Sequence, residues 1–490
     1  MVNTPIALSE KDFTSHPEVK TCLESLNKIF PKENPLIVSD VLDATGNQYA
    51  HLVQKGGGVL GVALVGYTYI LEMMGIRFLK LAGTSAGAIN TALMTVIGNK
   101  QEIKSPGVLR VICDLDFFSL VDGHPVARKI IKKFITDEGF VKKTLRWVAF
   151  LLGLFIFFMI ADIVLIGLRH SHPALNGWVW ISLAGTFLSC AAIIYLGVFA
   201  ASLMKKLKNA GFGINPGDYF YDWMKKQFKD NGVVTVSDLI NKAAVPVPGM
   251  YLRVDNPEKL NGLNGSVAFI TSELSSKNKI LFPEMCDLFR NKEDINTLQP
   301  AGFVRASMAI PLFFESWFIN DIPCTDPEIK RKWMDRFNEP DPPSNARFVD
   351  GGILSNFPIN LFYNPKVNIP RLPVFGIDLD DSTPGDKGKN AQNWSLGGYF
   401  GRMFSTIQNF SDKEFLLKNK VYEKGVGKVK VAQFNWLNFF LPPQKKIDLF
   451  VLGAQAATAF LKEFDWETYK CDRAGMQATL TASVRPESTA

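Results

Sequence analysis

Ser85 lies in Gly83-Thr84-Ser85-Ala86-Gly87, and no histidine occurs after His172. A G-x-S-x-G turn between a strand and a helix lifts a serine hydroxyl out of the backbone, where it can attack a carbonyl carbon. In the common hydrolase order an acid and then a histidine follow that serine. Here only His124, His170 and His172 follow, and the last two lie between two apolar runs too long to be core. If Ser85 is a nucleophile, the expected base is therefore a carboxylate. The alternative is a glycine-containing strand–helix turn with an idle serine.

The elements that must position Ser85 are readable around it. Residues 77–82, Arg77-Phe78-Leu79-Lys80-Leu81-Ala82, are expected as a short buried strand, and 86–97, rich in Ala, Leu, Ile and Met, are expected as a helix. The N–H groups and positive dipole end of that helix favour a developing alkoxide. Upstream, 49–54 reads as a strand, followed by Lys55-Gly56-Gly57-Gly58-Val59-Leu60-Gly61 and an apolar helix from about Val62 to Met74. Consecutive glycines opening a helix expose backbone N–H groups to an anion. Gly56, Gly58 and Gly61 also fit a dinucleotide fingerprint, but that pattern needs an acidic residue roughly 20 positions on. Gly83-Thr84-Ser85 stands there instead, so an oxyanion hole is the better reading. Each amide donor aimed at a tetrahedral oxyanion contributes roughly 3 kcal/mol.

Asp350 is the candidate base. The segment 346–350 reads as a strand leaving the Pro-rich loop Glu339-Pro340-Asp341-Pro342-Pro343, and it ends in Asp350-Gly351-Gly352. An aspartate at a strand's end, followed by two glycines, can reach into a cleft beside another strand's C-terminal end. Taken alone, the same residues read as an ordinary Asp-Gly turn.

Together these elements resemble the patatin-like phospholipase family. The matching pieces are the Gly56–Gly61 run, Gly83-Thr84-Ser85-Ala86-Gly87 and Asp350-Gly351-Gly352, with Arg305-Ala306-Ser307-Met308-Ala309-Ile310-Pro311 and the following Leu312-Phe313-Phe314 as a fourth block. The resemblance spans about residues 49 to 380. It implies an α/β fold of three layers, α/β/α, and a lipid acyl hydrolase with a Ser–Asp dyad. It further implies Ser85 as nucleophile, Asp350 as base, and Gly56, Gly57 and Gly58 as the oxyanion hole, the amides of Gly57 and Gly58 donating. Gly61, Gly83, Gly87, Gly351 and Gly352 complete the motifs. Leu60 departs from the pattern, since many members carry Arg or Lys there. Arg305 and Ser307 could line the acyl or headgroup site, with packing and capping as equally good explanations.

The chemistry stands on its own terms. Asp350 would take the Ser85 proton as the hydroxyl attacks an ester, then activate water against the acyl-enzyme. A free aspartate with a pKa near 4 is a weak base at neutral pH, so the site must be partly desolvated. Esters are favoured over amides, whose leaving group needs its own proton donor. The alternatives are a catalytically degenerate lipid-binding or signalling protein, and a thioesterase or small-ester hydrolase.

A second region is unusual for that family. Residues 147–168 are apolar except for Asp162, and 178–204 carry no charge. About 20 helical residues cover the hydrocarbon thickness of a bilayer, so the spacing predicts a two-helix transmembrane hairpin inserted into the catalytic domain. Trp147, Trp178 and Trp180 fit interfacial anchors. A pair of buried helices in a large core is the alternative. Asp162 is expected to be protonated or to pair near Arg169. Lysines and arginines crowd both outer flanks, among them Lys142, Lys143, Arg146, Lys205, Lys206 and Lys208, while the connecting loop holds only Arg169. The positive-inside rule then puts the catalytic domain and both termini on the cytoplasmic side.

Whole-chain bounds exclude other classes. The net charge of +7 sits mostly near the apolar hairpin, leaving little for nucleic acid. Six cysteines are scattered without paired or metal-ligand spacing, so no metal and no cofactor is expected. The N-terminus lacks an apolar signal-peptide core. The expected organisation is a helical lead over 1–45, catalytic halves over 46–140 and 209–385, the hairpin over 141–208, and a mostly helical region over 386–490. Asp378 and Asp380 read as a strand end meeting solvent, and Asp218 to Asp238 as one amphipathic helix.

Overall fold

The computed structural model describes residues 8–125, 128–129, 132–133, 140–209, 211–253, 263–364, 367–380, 406, 410 and 412–484. The loop expected over 380–393 lies, beyond Asp380, outside the described residues, as does the end of the chain expected to be disordered after Val484.

In chain order the elements begin with α1 (Glu10–Thr14), α2 (Pro17–Ile29), β1 (Val41–Leu42), β2 (Gln48–Gln54), α3 (Gly61–Met73), β3 (Ile76–Thr84), α4 (Ala86–Val96) and α5 (Ser105–Cys113). The long helices α6 (Phe140–Leu168) and α7 (Asn176–Asn209) follow, then β4 (Gly213–Asn215), α8 (Asp218–Asp230), α9 (Val236–Ala244) and β5 (Tyr251–Leu252). Next come β6 (Ser266–Glu273), β7 (Asn278–Phe282), α10 (Pro300–Ser307), β8 (Leu312–Phe314), β9 (Trp317–Ile319), α11 (Pro327–Phe337) and β10 (Ala346–Asp350). The last are β11 (Val374–Asp380), α12 (Lys420–Glu423), β12 (Val426–Lys430), α13 (Pro443–Glu463) and α14 (Trp466–Val484). They form two compact units: one of 1–121, 217–311 and 316–490, the other of 122–216 and 312–315.

The larger unit is a mixed α/β body around one sheet. Hydrogen-bonded neighbours run β12–β11–β2–β3–β6–β10–β9, with β7 also on β6 and β1 joining β2 to β5. The pairs from β12 to β6 are parallel, and β10 and β7 run antiparallel to β6. Strands β2 and β3 are buried along nearly their whole length, as is usual for parallel strands covered on both faces. Helix α4 packs on β3 and β6, α10 on β6 and β10, and α13 on α3, α2 and β12.

One detail of register matters for the site. Thr84, the last residue of β3, pairs with Ile270, and Asp350, the last of β10, pairs with Thr271. β7 pairs with β6 from Phe269 to Glu273 and so overlaps both registers. A strand has only two hydrogen-bonding edges. β7 takes one, so β3 and β10 share the other and meet tip to tip. Gly351 accordingly sits against Ile270 and the Thr84 methyl.

Three elements differ from expectation. The amphipathic segment from Asp218 is two helices, because the chain turns at Asn231-Gly232, where Gly232 adopts φ +76°. The C-terminal region contributes a strand, β12, that extends the parallel sheet beside β11. The N-terminal lead also ends in β1, and Phe13 packs edge-on against Phe450 of α13 at 5.5 Å.

In the smaller unit, α6 and α7 pack as a hairpin, and β4 pairs in parallel with β8. Two helical stretches are long and apolar enough to cross a membrane: Lys142–Leu168, with mean hydropathy 2.8, and Pro173–Lys205, with 2.1. The Phe158 ring lies against Gly185 between the two helices. Asp162 faces the partner helix, not Arg169: the Thr186 hydroxyl donates to its carboxylate at 2.5 Å.

Candidate active site

Ser85 caps α4 with φ 53° and ψ −120°, a left-handed conformation that side chains rarely adopt. The turn holds because its neighbours approach closely. A Cβ on Gly83 would collide with the Gly87 backbone, and one on Gly87 with the Gln54 carbonyl. The Ser85 amide donates to the Ser307 hydroxyl at 3.0 Å, and that hydroxyl donates to the Ile270 carbonyl at 2.5 Å. Ser307, for which packing was one of two open readings, thus ties the elbow to β6 from α10.

Asp350 reaches the serine from the tip of β10. Its own N–H donates to the Ala309 carbonyl at 2.9 Å, and its carboxylate accepts the Gly352 N–H at 2.7 Å. Burial, the largest influence, pushes its pKa up to about 6. The hydrogen bonds from Gly352 and from the Ser85 side chain pull the other way. Two of the three sequence-derived elements, 265 positions apart (350 minus 85), are brought beside each other here. His51, by contrast, lies in β2 against the Phe362 ring, and burial pushes it down to about 3.

The glycine run is the third element. Gly56 comes so close to Ser85 that an added Cβ would stand 3.1 Å from the serine Cβ. Its N–H, however, donates to the Asn356 carbonyl at 3.0 Å, so Gly56 lines the site without a free donor. Gly58 needs its φ of +55° and leaves the room that the Trp436 carbonyl fills. That carbonyl accepts the Val59 N–H at 3.0 Å, which fixes the loop's far end. At the near end the Lys55 ammonium bonds Asp378 at 2.7 Å and the Leu379 carbonyl at 3.0 Å. Asp378 is therefore an anchor of the glycine run and not only a strand end meeting solvent. Beneath the loop, the Asn90 amide donates to Gln54 at 2.5 Å and Gln54 to Thr91 at 3.0 Å, clamping β2 to α4.

A residue that sequence reasoning missed holds the loop after Asp350. Buried Asp412 accepts from the Ser355 hydroxyl at 2.9 Å and the Phe357 N–H at 2.7 Å. Ser355 in turn presents its carbonyl to the Thr84 hydroxyl at 3.0 Å, next to Ser85. No local pattern around Asp412 advertises this role. Asp412→Ala strips two buried donors of their acceptor and is expected to cost about 2 kcal/mol, read as a lower denaturation midpoint.

An apolar cavity opens beside Ser85 and Gly58. Val62, Ile89, Leu115, Phe117, Phe220 and Ile310 line it. The serine hydroxyl thus stands between a buried carboxylate, a glycine run and an apolar recess, a set suited to acyl transfer from an ester with an apolar acyl group.

Comparison with known proteins yields one curated relative and coarse structural likenesses. No family model matches the chain. The chain is 25% identical over 418 residues to the uncharacterized protein YqhO of Bacillus subtilis (strain 168), an alignment covering 85% of this chain and 100% of YqhO. Among solved structures, VipD from Legionella pneumophila shares 16% identity with a TM-score of 0.34, over 90% of this chain and 73% of VipD. A chain of the ExoU–SpcU heterodimer from the Pseudomonas aeruginosa type III secretion system shares 12% identity with a TM-score of 0.29, over 89% and 59%.

Proposed function

We propose that the chain is a membrane-bound serine acyl hydrolase of the patatin-like type, cleaving fatty-acyl esters of phospholipids through a Ser85–Asp350 dyad. The observation that carries this reading is the meeting of β3 and β10 on one edge of β6, which puts Ser85, the residue after β3, beside Asp350 at the tip of β10. Asp350 takes the hydroxyl proton as Ser85 Oγ bonds to the ester carbonyl carbon. The oxyanion that forms is held by the N–H groups of Gly57 and Gly58. On collapse, the protonated Asp350 gives its proton to the departing alcohol. Water then attacks the acyl-serine, losing its proton to Asp350, and the fatty acid leaves as Ser85 is restored. A carboxyl held near 6 is a better base at neutral pH than a free aspartate, which is what the desolvation accomplishes.

The hairpin supports the choice of lipid as substrate. Trp180 and Phe187 are 73% and 74% exposed, and neighbouring Leu and Ile are exposed with them. An apolar surface of that extent is stable in hydrocarbon and not in water. The basic flanks around 142–146 and 205–208 favour the side facing the cytoplasm for both ends of the hairpin. The larger unit around the sheet is read as the three-layer α/β/α domain implied by the sequence motifs.

The test is turnover of the intact chain, reconstituted in vesicles of phosphatidylcholine and phosphatidylglycerol, with products identified by mass spectrometry. Free fatty acid and the matching lysophospholipid are expected. Hydrolysis of an acyl thioester or a short p-nitrophenyl ester without any release from the vesicles would overturn the lipid assignment.

A further inference from the structure

A second cavity, of about 240 Å³, lies in the larger unit at the opposite end of α4 from Ser85. Ser85 caps the N-terminus of α4, and Thr95 near its C-terminus lines this cavity. Ten helical rises separate the two by about 15 Å. The walls are apolar over one stretch, from Phe78, Leu81, Val245, Val247 and Pro248. Lys100, Lys104 and Lys242 complete them.

The positive charge there lacks a carboxylate counterpart among the described salt bridges. The Lys100 ammonium donates to the Val245 carbonyl at 2.5 Å, and the buried Lys104 ammonium to the Met94 carbonyl at 2.6 Å. Neutral carbonyls account for one of the three hydrogens on each. The nearest acids are engaged elsewhere. Glu72 accepts the N–H groups of Lys104 and Ser105 at 3.0 and 2.8 Å, and Glu102 bonds the Asn99 side chain. Burial pushes Lys100 and Lys104 down to about 8; the repulsion of Lys242 adds to both, while Glu72 and Glu102 pull Lys104 part of the way back. Clustered ammonium groups in a half-closed recess are stabilised by a bound anion, which restores their charged state and supplies acceptors for the remaining hydrogens.

We infer that this cavity is a binding site for an amphipathic carboxylate, its head on Lys100, Lys104 and Lys242 and its short apolar body against the Phe78–Val247 wall. The site is separate from the acyl recess at Ser85 and does not depend on the reaction proposed there. Apolar walls distinguish it from a site for a fully hydrated ion such as phosphate, which gains nothing from them.

The test uses octanoate, with octanol and inorganic phosphate as the two half-ligands. The intact chain in a non-ionic detergent at a pH of about 8, where Lys100 and Lys104 are partly deprotonated, is acetylated with a water-soluble N-hydroxysuccinimide ester. Peptide mass spectrometry then reads each lysine separately. Octanoate at about five times its dissociation constant is expected to slow acetylation of Lys100 and Lys242 about sixfold by mass action. The exposed Lys226 serves as the unchanged reference. Lys242→Gln is expected to weaken octanoate protection of Lys100 about tenfold, as loss of a charged hydrogen bond requires. No protection by octanoate overturns the site. Equal protection by phosphate, or by octanol, overturns the amphipathic ligand class. Because protection is read at the lysines themselves, octanoate bound beside Ser85 does not register.

Discussion

Ser85→Ala is expected to lower fatty-acid release by about four orders of magnitude or more, the usual consequence of removing a covalent nucleophile. The loss should fall on kcat, because the acyl recess and the glycine run survive the change. A fluorophosphonate probe should label Ser85 in the parent chain and no residue of the variant. Ser85→Gly separates chemistry from stability. The φ of 53° and ψ of −120° at this position strain any residue with a Cβ, by about 1–3 kcal/mol. Glycine removes that strain, so the variant should be as inactive as the alanine form yet melt higher than the parent. Full turnover by either variant would remove Ser85 from the mechanism.

Asp350→Asn is expected to be nearly as damaging, because asparagine keeps the contact with Gly352 but cannot take a proton. The parent chain is expected to carry a pH signature of the same group. With the carboxyl at about 6, kcat/KM should rise about tenfold per unit below that pH and level off above it. Stability runs in the opposite sense. The folded-state pKa lies above the ordinary value of 3.8, so between these two values the folded protein binds more protons than the unfolded chain. Stability therefore falls as pH rises through roughly 4 to 6, and stays reduced above it. The difference of about two units corresponds to about 3 kcal/mol. Asp350→Asn avoids burying that charge and should melt higher than the parent at pH 8 while losing the pH step in stability. A flat activity profile from pH 5 to 8 in the parent would assign the base elsewhere.

Several parts of this arrangement are legible in the chain. The short segments before Ser85, before the glycines and before Asp350 are strands buried along most of their length, as expected. The long runs around 147–168 and 178–204 are helices because length alone separates them from core elements. Other parts are not legible, for a common reason. Ser307 supports Ser85 across 222 positions, Lys55 pairs with Asp378 across 323, and Asp412 serves Ser355 across 57. A hydrogen bond between distant residues leaves no periodicity in either neighbourhood. Strand β12 was hidden similarly: Val426-Gly427-Lys428-Val429-Lys430 is short, half charged, and becomes a strand only because β11 offers it an open edge.

Residue type and local spacing were thus enough to mark the candidate groups: a serine on a tight turn, a glycine run opening a helix, and an aspartate at a strand's end. They were also enough to mark two helices of membrane-crossing length, since hydropathy is summed over neighbours. Tertiary structure decided the rest. That β3 and β10 end on adjacent residues of one edge of β6, and so bring hydroxyl and carboxylate together, follows from strand register. Register is set by which edges are already occupied, a property of the assembled sheet that no single segment carries.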